Sequence, residues 1–180
     1  MTLIVKRGDL LAQQGILVHG CNSKGVMGSG IAESVKERFP AAYRAYRRRF
    51  EAFGLTLGEI SMAANPALKA KAPLVAHKVD VLDDRIPEGV IVVNAVTQER
   101  YGRQRDIVYV SYPAVSAAFS RVRELVAGLR SAGVDMPVNY PLIGCGLANG
   151  DWSTVSGIIE QQLDGYEHAL WVRPQDKWPL

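Results

Sequence analysis

Cysteine is scarce in this chain, which has only two cysteines among 180 residues. Cys21 and Cys145 form neither a C-x-x-C motif nor a metal-ligand spacing, so we expect no metal centre and no other cofactor. Each lies in a glycine-rich turn, where a small side chain suits a tight space, and nothing indicates an oxidising compartment.

Long apolar runs are also absent. No stretch could span a membrane, and the first residues lack the basic start and apolar core of a signal peptide. We therefore expect a cytoplasmic protein with no membrane partner. There is no long linker, internal repeat or low-complexity tract, and the length predicts a single domain over residues 1–180.

The net charge of +3 is small, and positive charge is concentrated in one place, at Arg44, Arg47, Arg48 and Arg49. The favoured interpretation is the solvated face of a helix. The alternative is a surface that meets nucleic acid or another polyanion. The sequence does not indicate an oligomeric state.

The stretch that organises the chain is residues 18–32, VHGCNSKGVMGSGIA. An apolar strand-like run precedes it, and a helical pattern of Ile31, Val35 and Phe39 follows. A strand, a glycine-rich loop and a helix in this order place backbone N–H groups and the positive end of a helix dipole at one point, which suits phosphate. A tight turn without a ligand is the alternative.

Two better-known phosphate loops are excluded. A P-loop has Gly-Lys at the helix start, whereas Lys24 precedes Gly25, Gly28 and Gly30. The dinucleotide fingerprint G-x-G-x-x-G is not matched either. The glycines still allow a ligand to approach the backbone closely, because no Cβ stands in the way.

A second glycine-rich stretch, residues 141–152 with the sequence PLIGCGLANGDW, also follows a strand-like run and precedes a helical pattern. Gly144, Gly146 and Gly150 fall in the turn. Two such turns in one small chain can hold a diphosphate from both sides. Alternating strands and helical segments predict an α/β/α sandwich with both turns at the carboxyl ends of strands.

The expected strands cover residues 2–6, 16–20, 58–63, 74–81, 90–96, 136–143 and 169–172. The expected helices cover residues 31–39, 40–53 and 111–129, with a further helix after Asp151. Residues 64–73 and 101–105 are expected to be loops, the second of them bordering the ligand.

The two glycine-rich stretches together resemble the macro domains, and residues 6–10 (KRGDL) and 93–98 (VNAVTQ) fit the same pattern. The closest resemblance is to the bacterial or phage members of the branch that contains ADP-ribose-1''-phosphate phosphatases and terminal ADP-ribose protein glycohydrolases. It implies a mixed central sheet, ADP-ribose as ligand and hydrolysis at its distal ribose. Hydrolysis of ADP-ribose 1''-phosphate is favoured. The alternatives are a non-catalytic reader and a hydrolase that removes ADP-ribose from protein or nucleic acid.

By resemblance, Asn22 contacts the distal ribose and is a candidate catalytic residue, and Asp9 accepts a hydrogen bond from the adenine amino group. The other residues that the resemblance assigns to the ligand lie in the same motifs: Leu10, Gly28, Ser29, Gly30, Ile31, Gln98, Gly144, Cys145, Gly146 and Leu147. Helix N-capping is a competing role for Asp9.

The pattern departs from the lysine-dependent glycohydrolases, since Gln98 and Ala148 occupy the positions of their lysine and aspartate. Neither side chain is a base or nucleophile at neutral pH. Asp151, the acid nearest the second turn, is therefore the candidate general base, with helix N-capping as its competing role. His19 is expected to be a hydrogen-bonded structural residue.

Overall fold

The computed structural model describes residues 3–176. Its strands are β1 (Ile4–Arg7), β2 (Gly15–Asn22), β3 (Ile60–Ala64), β4 (Val81–Leu82), β5 (Val90–Gln98), β6 (Val138–Tyr140) and β7 (His168–Val172). Its helices are α1 (Gly30–Arg38), α2 (Pro40–Phe53), α3 (Leu68–Lys71), α4 (Pro73–Ala76), α5 (Tyr112–Ser131) and α6 (Trp152–Gln162). None of these helices is both long and apolar enough to cross a membrane.

The strands form one mixed sheet in the order β1-β7-β6-β2-β5-β3-β4. The pairing of β3 with β5 is antiparallel, and the other pairings are parallel. Apolar residues of α1 and α2 pack on one face, and those of α5 and α6 pack on the other. The expected α/β/α sandwich with a mixed sheet is confirmed.

The centre of the sheet is almost wholly apolar, because helices cover both of its faces. His19 is an exception, and its ring Nε2 lies 2.7 Å from Oδ1 of Asn94. The Asn94 amide donates in turn to the Ala42 carbonyl (2.9 Å) and to Ser61 Oγ (3.0 Å). Burial lowers the pKa of His19 to about 4, so the ring is neutral at physiological pH. The structural role expected for His19 is confirmed.

The segment between β3 and β5 differs from the sequence prediction. The loop expected over residues 64–73 contains the short helix α3 and the start of α4, and in the strand expected over residues 74–81 only Val81 belongs to a strand. Val75 and Ala76 are both buried although they are adjacent, whereas Leu74 is exposed, so burial does not alternate as in a strand. Pro73 begins α4, where its missing N–H removes no helical hydrogen bond.

Strand lengths also differ from the sequence prediction, and β5 runs two residues past its expected end, to Gln98. The strand expected over residues 136–143 contains only Val138–Tyr140, because Pro137 and Pro141 flank it and cannot donate to a ladder. In contrast, β2 continues to Asn22, so Cys21 and Asn22 belong to the strand and not to the loop.

The order of the strands brings three loops together. Strand β2 lies between β6 and β5, and all three run in the same direction, so their carboxyl ends meet at one edge. The chain passes from one side of β2 to the other, and such a switch point is where ligands bind in open α/β sheets. We call residues 23–29 the first glycine loop, residues 141–151 the second glycine loop and residues 99–111 the arginine loop.

Candidate functional site

The first glycine loop is held by the side chain of Asn22. Its Oδ1 accepts hydrogen bonds from the backbone N–H groups of Lys24 (2.9 Å) and Val26 (3.4 Å), and its Nδ2 donates to the Val26 carbonyl (2.7 Å). An amide has two N–H donors, and the second has no partner among residues 3–176. Asn22 therefore shapes the loop and keeps one donor for a ligand. Its catalytic role stays a prediction.

Tyr46, on α2, holds Asn22 in place through hydrogen bonds from its hydroxyl group. Its hydroxyl lies 2.8 Å from the Asn22 carbonyl oxygen and 2.9 Å from Oδ1, and the side chain is fully buried. Burial raises the pKa of the Tyr46 hydroxyl, so it stays protonated and donates. Sequence reasoning does not find this contact, because no local pattern links Tyr46 to a residue 24 positions earlier.

The glycines of the first loop have two different functions. A Cβ on Gly25 would lie 2.6 Å from the ring of Phe50, so this glycine serves internal packing. A Cβ on Gly28 would have its nearest neighbour at 3.7 Å, and one on Gly30 would meet nothing within 4 Å. Only Gly28 and Gly30 therefore fit the predicted approach of a ligand.

The amino end of α1 presents backbone donors to this open side. Ser29 is the N-cap, but its side chain makes no capping hydrogen bond. The N–H groups of the first turn, which includes Gly30 and Ile31, are therefore not satisfied by the N-cap side chain. This arrangement favours an anion.

The second glycine loop is built by close packing. Gly144 has φ +70°, and a Cβ there would lie 2.5 Å from the side chain of Val110. A Cβ on Gly150 would also lie 2.5 Å from the side chain of Val110, and the Gly150 backbone N–H donates to the Gly144 carbonyl at 2.7 Å. Gly146 is the glycine of this loop that faces open space, next to the half-exposed Leu147. Gly144 and Gly150 are thus required for packing, and the assignment of Gly144, Cys145, Gly146 and Leu147 to the ligand stays a prediction.

The arginine loop begins against the first glycine loop. The Ser23 N–H donates to the Gln98 carbonyl (2.9 Å), and Ser23 Oγ donates to the Glu99 carbonyl (3.0 Å). Lys24 forms an exposed ion pair with Glu99 at 3.6 Å. The predicted ligand residue Gln98 thus lies beside the first loop, with its side-chain amide donating to the Arg100 carbonyl at 2.8 Å.

The arginine loop ends against the second glycine loop. Asn149, in the left-handed conformation with φ 55°, donates from Nδ2 to the carbonyls of Gln104 and Ile107, each at 2.7 Å. The Tyr109 N–H donates to the Ala148 carbonyl at 2.9 Å. The arginine loop therefore connects the two glycine loops through hydrogen bonds at both of its ends. Neither Asn149 nor Tyr109 was singled out in the sequence.

Asp151 has the N-capping role, which the sequence analysis gave as the alternative to its assignment as general base. It is the N-cap of α6, and its Oδ2 accepts from the backbone N–H (2.8 Å) and the Oγ1 hydroxyl (2.6 Å) of Thr154. These hydrogen bonds hold the pKa of the Asp151 carboxyl below its usual range. The group is ionised at neutral pH but is a weak base. Its assignment as general base stays a prediction.

Asp9 also has the capping role. Its Oδ1 accepts from the Leu11 N–H at 2.9 Å, and its Oδ2 lies 3.0 Å from the guanidinium of Arg38. Leu10 is buried, so only its backbone can reach a ligand. Two strands separate β1 from β2, which places Asp9 roughly 14 Å across the sheet from the first loop. Recognition of adenine by Asp9 stays a prediction.

The two cysteines fit their expected space-filling role. Cys21 is buried, and burial raises the pKa of its thiol. Burial and the nearby Asp151 carboxylate raise the pKa of Cys145 to about 12, and its thiol donates to the Ile143 carbonyl at 3.3 Å. Both thiols are therefore protonated at neutral pH and are poor nucleophiles.

The basic cluster on α2 is largely neutralised. Arg44 pairs with Asp83, Arg47 with Glu51 at 2.7 Å, and Arg49 with Asp80 at 2.8 Å. Arg48 is exposed and has no ion-pair partner among the described residues. These pairs weaken the case for nucleic acid binding at this surface.

A cavity of about 250 Å³ lies at the opposite edge of the sheet. Gly15 and Val90, which begin β2 and β5, line it together with Leu68 and Met136. None of the predicted site residues is part of its wall. We place the candidate site at the glycine loops, because the open glycines and the free backbone donors lie there. The volume of a cavity alone indicates no chemistry.

No known family's sequence profile matches this chain. An ADP-ribose 1''-phosphate phosphatase of Meyerozyma guilliermondii is 26% identical over 168 residues, which cover 86% of this chain and 90% of that protein. A macrodomain protein from Streptomyces coelicolor superposes with a TM-score of 0.66 and 27% identity, covering 95% of this chain and 99% of that one. Thermosipho africanus DarTG in complex with ADP-ribose gives a TM-score of 0.66 at 19% identity, over 96% of this chain and 42% of that one. The protein described here has the macro domain fold.

Proposed function

We propose that the protein binds ADP-ribose in the cleft between the two glycine loops and hydrolyses ADP-ribose 1''-phosphate to ADP-ribose and phosphate. One observation carries the proposal: the open glycines follow the neighbouring parallel strands β2 and β6, with Gly28 in the first glycine loop, Gly30 at the start of α1 and Gly146 in the second glycine loop. The likeness to a fungal phosphatase of almost the same length supports the choice of reaction.

In this reaction a water oxygen attacks phosphorus, the bond from phosphorus to the distal-ribose oxygen breaks, and a proton passes to that oxygen. Backbone N–H groups at the start of α1 hold the diphosphate, and the remaining N–H of Asn22 donates to the distal ribose. Fixed N–H donors that stabilise a developing anion are a source of rate without a strong base. Asp151 is ionised but weakly basic, so we expect turnover to be slow.

A non-catalytic reader of ADP-ribose is the second candidate. The observation that favours it is that Asn22 and Asp151 already make structural hydrogen bonds. A hydrolase acting on ADP-ribosylated protein or nucleic acid is the third. Phosphate release from ADP-ribose 1''-phosphate and ADP-ribose release from conjugates separate the three.

The binding site is tested by Gly146→Glu. This position is open and is not in a left-handed conformation, so the added carboxylate should enter the cleft and repel the diphosphate without strain in the fold. Calorimetry should show one ADP-ribose per chain for the wild type and loss of binding for the variant. Gly144→Glu is less informative, because its Cβ would strike Val110.

Gly157→Glu is the matched control, since Gly157 is an exposed glycine of α6 with nothing within 4 Å of an added Cβ. It should leave affinity unchanged. Equal affinity of Gly146→Glu and wild type would overturn the binding site. Binding without phosphate release would leave the reader as the function.

We further propose, on the sequence alone, a cytoplasmic protein with one domain over residues 1–180 and a bacterial or phage origin. The relatives that carry the name ADP-ribose 1''-phosphate phosphatase are fungal proteins, and the structural neighbours include bacterial proteins.

A further inference from the structure

Three exposed arginines lie within six residues of the arginine loop: Arg100, Arg103 and Arg105. None of their guanidinium groups has an ion-pair or hydrogen-bond partner in the described range 3–176. In the cluster on α2, by contrast, Arg44, Arg47 and Arg49 are all paired. Exposed arginines without an ion pair are therefore concentrated on the arginine loop, which has three of them, whereas the cluster on α2 has one, Arg48.

The acids of the loop do not cancel this charge. Glu99 is paired with Lys24 at 3.6 Å, which leaves Asp106 as the other acid of the loop. The exposed arginines thus outnumber the remaining carboxylate by three to one. Tyr101, between two of them, is 56% exposed and offers a flat apolar surface beside the charges.

Hydrogen bonds attach the arginine loop to both glycine loops, from Ser23 on one side and from Asn149 on the other. Its first residues adjoin Ser23, the neighbour of Asn22, which the proposed function places at the distal ribose. Arg100 consequently lies beside the first glycine loop, and Arg103 and Arg105 flank Gln104, whose carbonyl is bound by Asn149 of the second glycine loop.

We propose that the arginine loop is a subsite for a phosphate group beyond the diphosphate of ADP-ribose. This inference rests on the proposed function. A guanidinium presents paired N–H donors that match phosphate oxygens, and an unpaired one loses no existing ion pair on binding. The phosphate has two sources: the 1''-phosphate of the small molecule, or the backbone of a nucleic acid that carries ADP-ribose.

The first test compares the affinity for ADP-ribose 1''-phosphate with the affinity for ADP-ribose in the same protein. We expect the wild type to prefer the phosphorylated ligand by about tenfold, as charge-assisted hydrogen bonds predict. The triple variant Arg100→Gln, Arg103→Gln, Arg105→Gln should lose this preference and keep its affinity for ADP-ribose itself. Individual variants would then show which arginine contributes most.

The matched control is Arg48→Gln with Arg123→Gln, which removes two exposed arginines on α2 and α5. It should leave the preference intact, although it also lowers the net charge. A preference that falls equally in the control would mean a general charge effect and would overturn the subsite.

The second test uses an unmodified single-stranded oligonucleotide and fluorescence anisotropy at increasing salt. If nucleic acid is the source, the wild type binds it, salt weakens the binding, and the triple variant abolishes it. If the 1''-phosphate is the source, only the first test responds. No preference and no oligonucleotide binding, with ADP-ribose still bound, would overturn this inference alone. Failure to bind ADP-ribose would overturn the proposed function as well.

Discussion

The two glycine loops of this protein follow the neighbouring parallel strands β2 and β6 but are stabilised by opposite means. In the first, the side chain of Asn22 satisfies the backbone groups of the turn, and Tyr46 holds Asn22. In the second, the absence of side chains at Gly144 and Gly150 lets the chain pack against Val110.

This difference determines which substitutions each loop tolerates. The first loop depends on hydrogen bonds to buried polar side chains, so removing one polar atom should loosen it. The second loop has no space at two of its glycines, so adding one methyl group should distort it. We therefore expect the first loop to be sensitive to the loss of a polar atom and the second loop to be sensitive to the gain of a methyl group.

The largest effect is expected from Gly144→Ala. Its left-handed backbone and the contact with Val110 should together destabilise the fold by about 2–4 kcal/mol. Gly146→Ala, in the same loop but in open space, should change stability by less than about 0.5 kcal/mol. Urea unfolding measures both.

The double variant Gly144→Ala, Val110→Ala sharpens this test. If the Val110 side chain causes the strain, the second substitution should recover part of the loss, and the two effects should not add. Additive losses would show that the backbone conformation alone is responsible.

An intermediate effect is expected from Tyr46→Phe, which removes one oxygen. Loss of the hydrogen bond to Asn22 should reduce stability by about 1–2 kcal/mol and weaken ADP-ribose binding about fivefold, because the first loop is no longer held. Calorimetry and urea unfolding give the two values.

Tyr140→Phe is the control for that variant. Tyr140 is also fully buried, and its hydroxyl lies 2.7 Å from Nδ1 of His168, on the other side of the sheet from α2. It should lose similar stability but bind ADP-ribose normally. Equal weakening of binding in both variants would contradict a specific role of Tyr46.

The smallest effect concerns Asp151→Asn, at the end of the second loop. Asparagine keeps an N-cap oxygen but not the charge. The pKa of Asp151 is lowered in the fold, so its charge stabilises the protein at neutral pH, and this contribution disappears as the pH falls through the folded-state pKa. The small stability difference between wild type and variant should therefore vanish in acid. Unchanged phosphate release at neutral pH would exclude Asp151 as the general base.

Much of the fold follows from local sequence. The apolar run at residues 90–96, the apolar face at residues 111–129 and the glycine-rich turns after two strands are local patterns, and the structure confirms each of them as part of β5, as α5 and as turns after β2 and β6. The short helices after Ala64 were missed, because four residues contain too little of a helical period to recognise.

The sequence by itself determined that two strands lead through glycine-rich turns into helices, because glycine spacing and apolar periodicity need only neighbouring residues. Only the tertiary structure decided which glycines are open to a ligand and which are packed. Gly144 is closed by Val110, and Asn22 is held by Tyr46, through contacts between residues far apart in the chain. Such contacts depend on how the strands are ordered in the sheet, and no local pattern specifies that order.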